Sequence, residues 1–92
     1  MGRLDDKVVW VTGGSAGIGK AIAARCVAEG ARVVLTSRKD DRLARAAAEI
    51  CGDRPDAVFT RACHCGEPAQ IAATVAWIEQ TVGSPDVLVN NA

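Results

Sequence analysis

The 92-residue chain has no tyrosine, one phenylalanine, one methionine and a single histidine, His64. Chemistry that needs a phenol, or a pair of imidazoles, is therefore beyond these residues. Net charge is also lacking. Eleven basic residues cancel eleven acidic ones, and no basic cluster is long enough to follow a phosphate backbone, which argues against nucleic acid as a partner. Long apolar runs are missing too. The opening Met-Gly-Arg-Leu-Asp-Asp carries acid and leads into only a short strand-like stretch, so neither a secretory leader nor a membrane span is expected, and the expected location is cytoplasmic.

What is present is an interior. Hydrophobic residues make up 49% of the chain and charged residues 24%, the balance of a folded domain rather than a disordered tail. A chain this short buries only roughly 60–65% of the surface that its unfolded form exposes, so the core is expected to be thin. Four cysteines (Cys26, Cys51, Cys63, Cys65) sit in helical or strand patterns without framework spacing and read as reduced, apolar fillers. Cys63-His64-Cys65 has the look of half a metal site, but structural zinc needs four ligands and no second pair exists, so no metal is expected.

The apolar pattern alternates between two periods. Lys7 to Thr12 is a short continuous run, as in a buried parallel strand. From Gly17 to Glu29, Ile18, Ile22 and Cys26 recur at helical spacing, and Gly30 supplies the stop. Arg32 to Thr36 reads as a second strand. Asp40 and Asp41 then offer caps for a helix with Leu43, Ala47 and Ile50 on one face. Asp56 to Cys63 reads as a third strand, and Pro68 opens a helix with Ile71, Val75, Ile78 and Val82 on one stripe. Trp77 lies off that stripe, where it either meets a partner or covers the helix flank. Asp86 to Asn90 reads as a fourth strand. The order βαβαβαβ predicts one α/β unit over residues 1–92, a Rossmann-type parallel sheet truncated after its fourth strand, with that strand as an exposed edge.

Between the first strand and the first helix lies Thr12-Gly13-Gly14-Ser15-Ala16-Gly17-Ile18-Gly19. Glycines here let the backbone turn tightly and approach a pyrophosphate, whose charge faces the amides and positive dipole end of the helix. A glycine-rich turn alone is weak evidence; after a strand and before a helix it is strong. The spacing Thr-Gly-x-x-x-Gly-x-Gly, together with the terminal Asn90-Asn91-Ala92, resembles the short-chain dehydrogenase/reductase family from Lys7 to Ala92.

That resemblance implies a cofactor site, with Gly13, Ser15, Ala16, Gly17 and Ile18 along the pyrophosphate and ribose and Gly19 in close packing. It also implies Asn90 on the adenosine side and Ala92 near the ribose. Asn91 has two readings of equal weight, a cofactor contact or a side-chain tie between strands. His64 departs from the family pattern, which has an aspartate beside the adenine amino group. A histidine there would stack or hydrogen-bond, with Cys65 offering its backbone, or stand as a spectator. Ser37-Arg38-Lys39 and Cys63-His64 are similar to segments of carbonyl-reducing members.

The choice of nicotinamide cofactor turns on the end of the second strand. NAD calls for a carboxylate there and NADP for cationic groups on the 2′-phosphate. Ser37 and Arg38 occupy the position, which predicts NADP, Arg38 pairing with the phosphate and Ser37 adding a hydroxyl. In the alternative, Asp40 or Asp41 reaches back to the ribose of NAD. Family catalysis uses a tyrosine, with a lysine four residues on, and a serine; no tyrosine is present, and Lys7, Lys20 and Lys39 all precede the third strand. The expectation is the cofactor-binding part of an oxidoreductase that moves hydride between NADP(H) and a carbonyl or alcohol, in a parent that assembles as a homo-oligomer. A free-standing nucleotide-binding or regulatory module is the alternative.

Overall fold

The computed structural model describes residues 3–13, 17–38, 40–64 and 66–91. Strands β1 (Val8–Thr12), β2 (Arg32–Ser37), β3 (Val58–Ala62) and β4 (Val87–Asn90) alternate with helices α1 (Gly17–Ala28), α2 (Asp40–Ile50) and α3 (Pro68–Thr81). Every residue of β1 is buried, as a strand covered on both faces must be, and its continuous apolar run follows from that. The third strand starts at Val58 rather than Asp56. Pro55–Ala57 forms a short 3-10 turn, and Pro55, which has no N–H to give a ladder, opens it.

All strand pairs are parallel and the spatial order is β3-β2-β1-β4. Trp10 stands opposite Val34 on one side and Leu88 on the other, with Phe59 opposite Val34 beyond. The chain winds outward from β1 through β2 to β3, then crosses back to place β4 on the far side of β1. The order reverses between β1 and β4, and the crevice beyond the carboxyl ends of strands at such a reversal is where open parallel sheets bind ligands.

Two apolar layers flank the sheet. Val9, Val11, Val33 and Leu35 meet Ala23, Val27, Leu43, Ala46 and Ile50 under α1 and α2. On the opposite face Val8, Trp10 and Val34 meet Ile78 and Val82 under α3. Val33, Val34 and Leu35 have no exposed surface. Each such side chain contributes about 1.5–3 kcal/mol relative to exposure. The Trp10 indole N–H donates to the Thr36 hydroxyl at 2.9 Å, which lets a tryptophan occupy the interior with its polar atom satisfied. Trp77 is half-buried on the flank of the second layer, and the Arg61 guanidinium lies 5.5 Å from its ring centroid. It covers the helix flank.

The buried face of α1 corrects the sequence reading. Gly19, Ala23 and Val27 face the sheet, whereas Ile18 is 71% exposed and Ile22 and Cys26 are half-buried. The cause is a close approach at the start of the helix. A Cβ on Gly19 would stand 2.7 Å from the Gly13 carbonyl oxygen, so small residues lie beneath the first turns, Val27 fits only at the far end, and Ile18 and Ile22 turn outward. In α2 the buried positions are Leu43, Ala46 and Ile50, with Ala47 half-buried. In α3 they are Thr74 and Ile78, with Ile71 and Val75 packed at the margin.

The ends of α1 and α3 opposite the glycine turn are closed by arginine. Gly30, at φ +97°, follows α1; its N–H donates to Val27 and that of Ala31 to Cys26, the paired bonds of a left-handed helix stop. Arg54 adds donations to the carbonyls of Val27 at 2.7 Å and Gly30 at 3.1 Å, and Arg32 donates to that of Val82 at 2.6 Å. Glu29 accepts the Arg3 N–H, which with the Arg25 guanidinium holds its carboxyl below the ordinary range against the opposing effect of desolvation. Asp86 clasps β4 to β1. Its carboxylate accepts the Val8 N–H and its own N–H donates to the Val8 carbonyl, both at 2.8 Å.

Candidate functional site

The carboxyl ends of β1, β2, β3 and β4 lie together at one end of the sheet. Four residues of the predicted site, Ser15, Ala16, Cys65 and Ala92, lie outside the described residues. Of the turn after β1, Gly13 takes φ +65° and Gly17 φ +63°, values that a side chain disfavours. The Gly13 N–H donates to the Thr36 carbonyl at 2.8 Å, which fixes the start of the turn against β2. Among the described residues, a Cβ placed on Gly17 would meet nothing within 4 Å. The first turn of α1 carries no acidic residue. A helix start of this kind presents backbone amides and a positive dipole end to an anion without a carboxylate of its own first turn to compete. Ile18, the second residue of α1, is 71% exposed.

The end of β4 is fastened to Thr12, the last residue of β1. This threonine is 4% exposed, and its hydroxyl lies 3.1 Å from Asn90 Oδ1 and 3.3 Å from the Val89 carbonyl while accepting the Asn91 N–H at 3.1 Å. The β1–β4 crevice is thus closed at its base by hydrogen bonds. The Asn91 side chain lies over α1: a Cβ on Gly19 would stand 2.6 Å from its Nδ2. The tie that Asn91 makes to β1 runs through its backbone N–H to Thr12, and its side chain enters no hydrogen bond among the described residues.

The neighbouring strand ends form a continuous shelf. Ser37 ends β2 half-buried and Arg38 follows it, exposed. Ser37 pairs with Ala62, and its carbonyl accepts the Cys63 N–H at 2.8 Å, so β3 delivers Cys63 and His64 beside the end of β2. Cys63 is buried and its thiol points to the Gln70 carbonyl at 3.8 Å. Burial pushes the Cys26 thiol of α1 up from its ordinary range, toward an unreactive group. Among the described residues no three His, Cys, Asp or Glu side chains gather as metal ligands.

Sequence reasoning missed Gln70. Its side-chain oxygen accepts the His64 N–H at 2.7 Å and its amide nitrogen donates to Glu67 at 2.8 Å, so it ties the segment after β3 to the start of α3. The available signal was a glutamine at the third position of a helix opened by Pro68, the place from which such side chains reach back over a helix start.

These features fit an extended, anionic ligand with a pyrophosphate over the glycine turn. Glycine cradle, acid-free helix start and cation-bearing shelf occur in the order in which a dinucleotide presents diphosphate, ribose and base. The sequence profile of the short chain dehydrogenase family matches residues 7–92. A 3beta-hydroxysteroid dehydrogenase of Mediterraneibacter gnavus is 40% identical over 94 residues, which cover 100% of this chain and 33% of that protein. Dehydrogenase/reductase SDR family member 4 of Bos taurus is 39% identical over 89 residues, 97% of this chain and 32% of the relative. The structure of L-sorbose reductase from Gluconobacter frateurii, complexed with NADPH and L-sorbose, superposes with a TM-score of 0.88 at 38% identity, covering 97% of this chain and 34% of that one. The chain therefore spans about a third of the length of these relatives. With its turn, its parallel βαβ order and its profile in agreement, the chain belongs to the short-chain dehydrogenase family of oxidoreductases, of Rossmann-like α/β fold.

Proposed function

We propose that residues 1–92 are the nucleotide-binding part of an oxidoreductase that moves hydride between NADP(H) and a carbonyl or alcohol substrate. One observation carries this reading: the glycine turn at Gly13 and Gly17 lies at the same end of the sheet as Ser37 and Arg38, with an arginine following β2 where a carboxylate would select the unphosphorylated ribose. The bound nicotinamide would supply or accept the hydride. This chain's residues would bind and orient it. Gly13, Ser15, Ala16, Gly17 and Ile18 would hold the pyrophosphate side, Ser37 and Arg38 the 2′-phosphate, His64 and Cys65 the base, and Asn90 and Ala92 the adenosine and its ribose, while Gly19 keeps the helix close. No residue here is assigned to proton transfer, since the chain has no tyrosine.

The test is titration of the full-length protein with NADPH and NADH by calorimetry. NADPH is expected to bind at least about tenfold more tightly, and Arg38→Ala to weaken NADPH about ten- to a hundredfold with little effect on NADH. That range is what a charge-assisted hydrogen bond of about 1.5–3 kcal/mol supplies. Tighter binding of NADH by the unaltered protein would assign the ribose to Asp40 or Asp41 and overturn the NADP reading.

A further inference from the structure

Three hydrogen bonds hold His64, and one of them depends on its charge. The backbone N–H donates to Gln70 Oε1 at 2.7 Å and the carbonyl accepts the Glu67 N–H at 3.0 Å, so the chain turns over residues 64–67 and enters α3. The third bond is made by the ring, whose Nδ1 accepts the Gly66 N–H at 3.0 Å. The imidazole lies where a side chain at residue 66 would stand: a Cβ on Gly66 would be 2.7 Å from Cε1 and 3.1 Å from Nδ1. Glycine at 66 is what lets the ring close over its own turn.

An imidazole nitrogen accepts a hydrogen bond only while it carries no proton, and protonation turns both ring nitrogens into donors. Nδ1 would then aim an N–H at the Gly66 N–H, and an attractive contact would become a repulsive one. His64 is the one histidine among the 92 residues, and histidine is the side chain that ordinarily changes charge between about pH 5 and 8. Among the described residues the charges around the turn are divided. The Glu67 carboxylate at the start of α3 favours an imidazolium, although Gln70 Nε2 already donates to it at 2.8 Å. The positive dipole end of α3 opposes one, as does Arg38, which follows the β2 residue paired with Ala62. Arg61 of β3 is turned to the Trp77 ring. We propose that the connection between β3 and α3 is a proton-sensitive joint, closed over Gly66 by neutral His64 and released when the ring is protonated. The closed turn takes only the neutral ring, so closure is complete on the alkaline side and is lost as pH falls through the titration of His64. The backbone bonds to Gln70 and Glu67 carry no such dependence, so release is confined to the ring and Gly66 and needs no bound ligand.

The test is NMR on the full-length protein labelled with 15N at histidine and glycine, the His64 and Gly66 signals being assigned by their loss in His64→Asn and Gly66→Ala. At about pH 8 the His64 ring is expected to carry its proton on Nε2. Between about pH 8 and about pH 5.5 the Gly66 amide should lose about three- to tenfold of its protection from solvent exchange, each rate being divided by the intrinsic rate at that pH. That is the size of one neutral hydrogen bond. The loss should follow the titration of the His64 ring itself. In His64→Asn the side-chain oxygen accepts an N–H two residues on and does not titrate, so Gly66 should stay protected at both ends of the range. The proposal is overturned by a neutral ring protonated on Nδ1, by Gly66 protection that stays level while His64 titrates, or by a pH dependence of Gly66 that survives in His64→Asn.

Discussion

At Gly19 the absence of a side chain serves fold and site together. Its α-carbon faces the Gly13 carbonyl on one side and the Asn91 amide on the other, so a single methyl group would push on the cradle and on the end of β4 at once. The Asn91 side chain can swing aside. The Gly13 carbonyl belongs to a turn already fixed to Thr36 and cannot move without opening it. Gly19→Ala is therefore expected to cost about 1–3 kcal/mol of stability, the usual range for overpacking, and to weaken dinucleotide binding more than that loss alone explains. Urea denaturation with and without NADPH separates the two effects. A variant with unchanged midpoint and unchanged affinity would show that α1 approaches the sheet less closely than described.

The elements show which signals a linear pattern carries. Strands covered on both faces appear as unbroken apolar runs, and β1 and β2 were legible for that reason; β4 was legible as an apolar run although its side chains are largely exposed, and the glycine turn between β1 and α1 was legible from its composition. The inner face of α1 was not, because a helix that packs closely enough to need Gly19 and Ala23 writes its buried stripe in residues with no hydropathy signal. Of the site, Ser37 and Arg38 were legible from their place after a strand, whereas the grip of Gln70 on His64 depends on where β3 ends. Arg54 was invisible for a similar reason. It sits in a loop, yet its guanidinium reaches back 27 residues in sequence to the carbonyls that end α1. Arg54→Ala leaves part-buried carbonyls without that donor and should destabilise the protein by about 1–3 kcal/mol, with α1 fraying from its far end and the cofactor cradle spared. The expected signature is a lowered thermal midpoint with unchanged NADPH affinity. Loss of affinity in proportion to stability would mean that α1 does not insulate its two ends.

Across the whole molecule, the two edges of the sheet are unlike. β3 is backed by α2, and Arg61 lies over Trp77 of α3. β4 is the opposite edge, and its side chains are largely uncovered: Leu88 is 57% exposed and Val87 42%, one on each face of the strand. A strand with an unpaired backbone rim and apolar side chains on both faces is a template for another strand. Residues 1–92 expressed alone are expected to self-associate through β4, with sedimentation velocity showing a concentration-dependent shift to dimers and larger species. Charge on the edge opposes such pairing, so Leu88→Lys with Val87→Thr should move the population toward monomer. These positions lie outside the glycine cradle, and Asp86, which clasps the start of β4 to β1, is left intact. The doubly substituted chain should thus keep its parallel β1–β4 pairing. Association that persists undiminished after both changes would locate the contact elsewhere, with Ile18 as the remaining large exposed apolar side chain among the described residues.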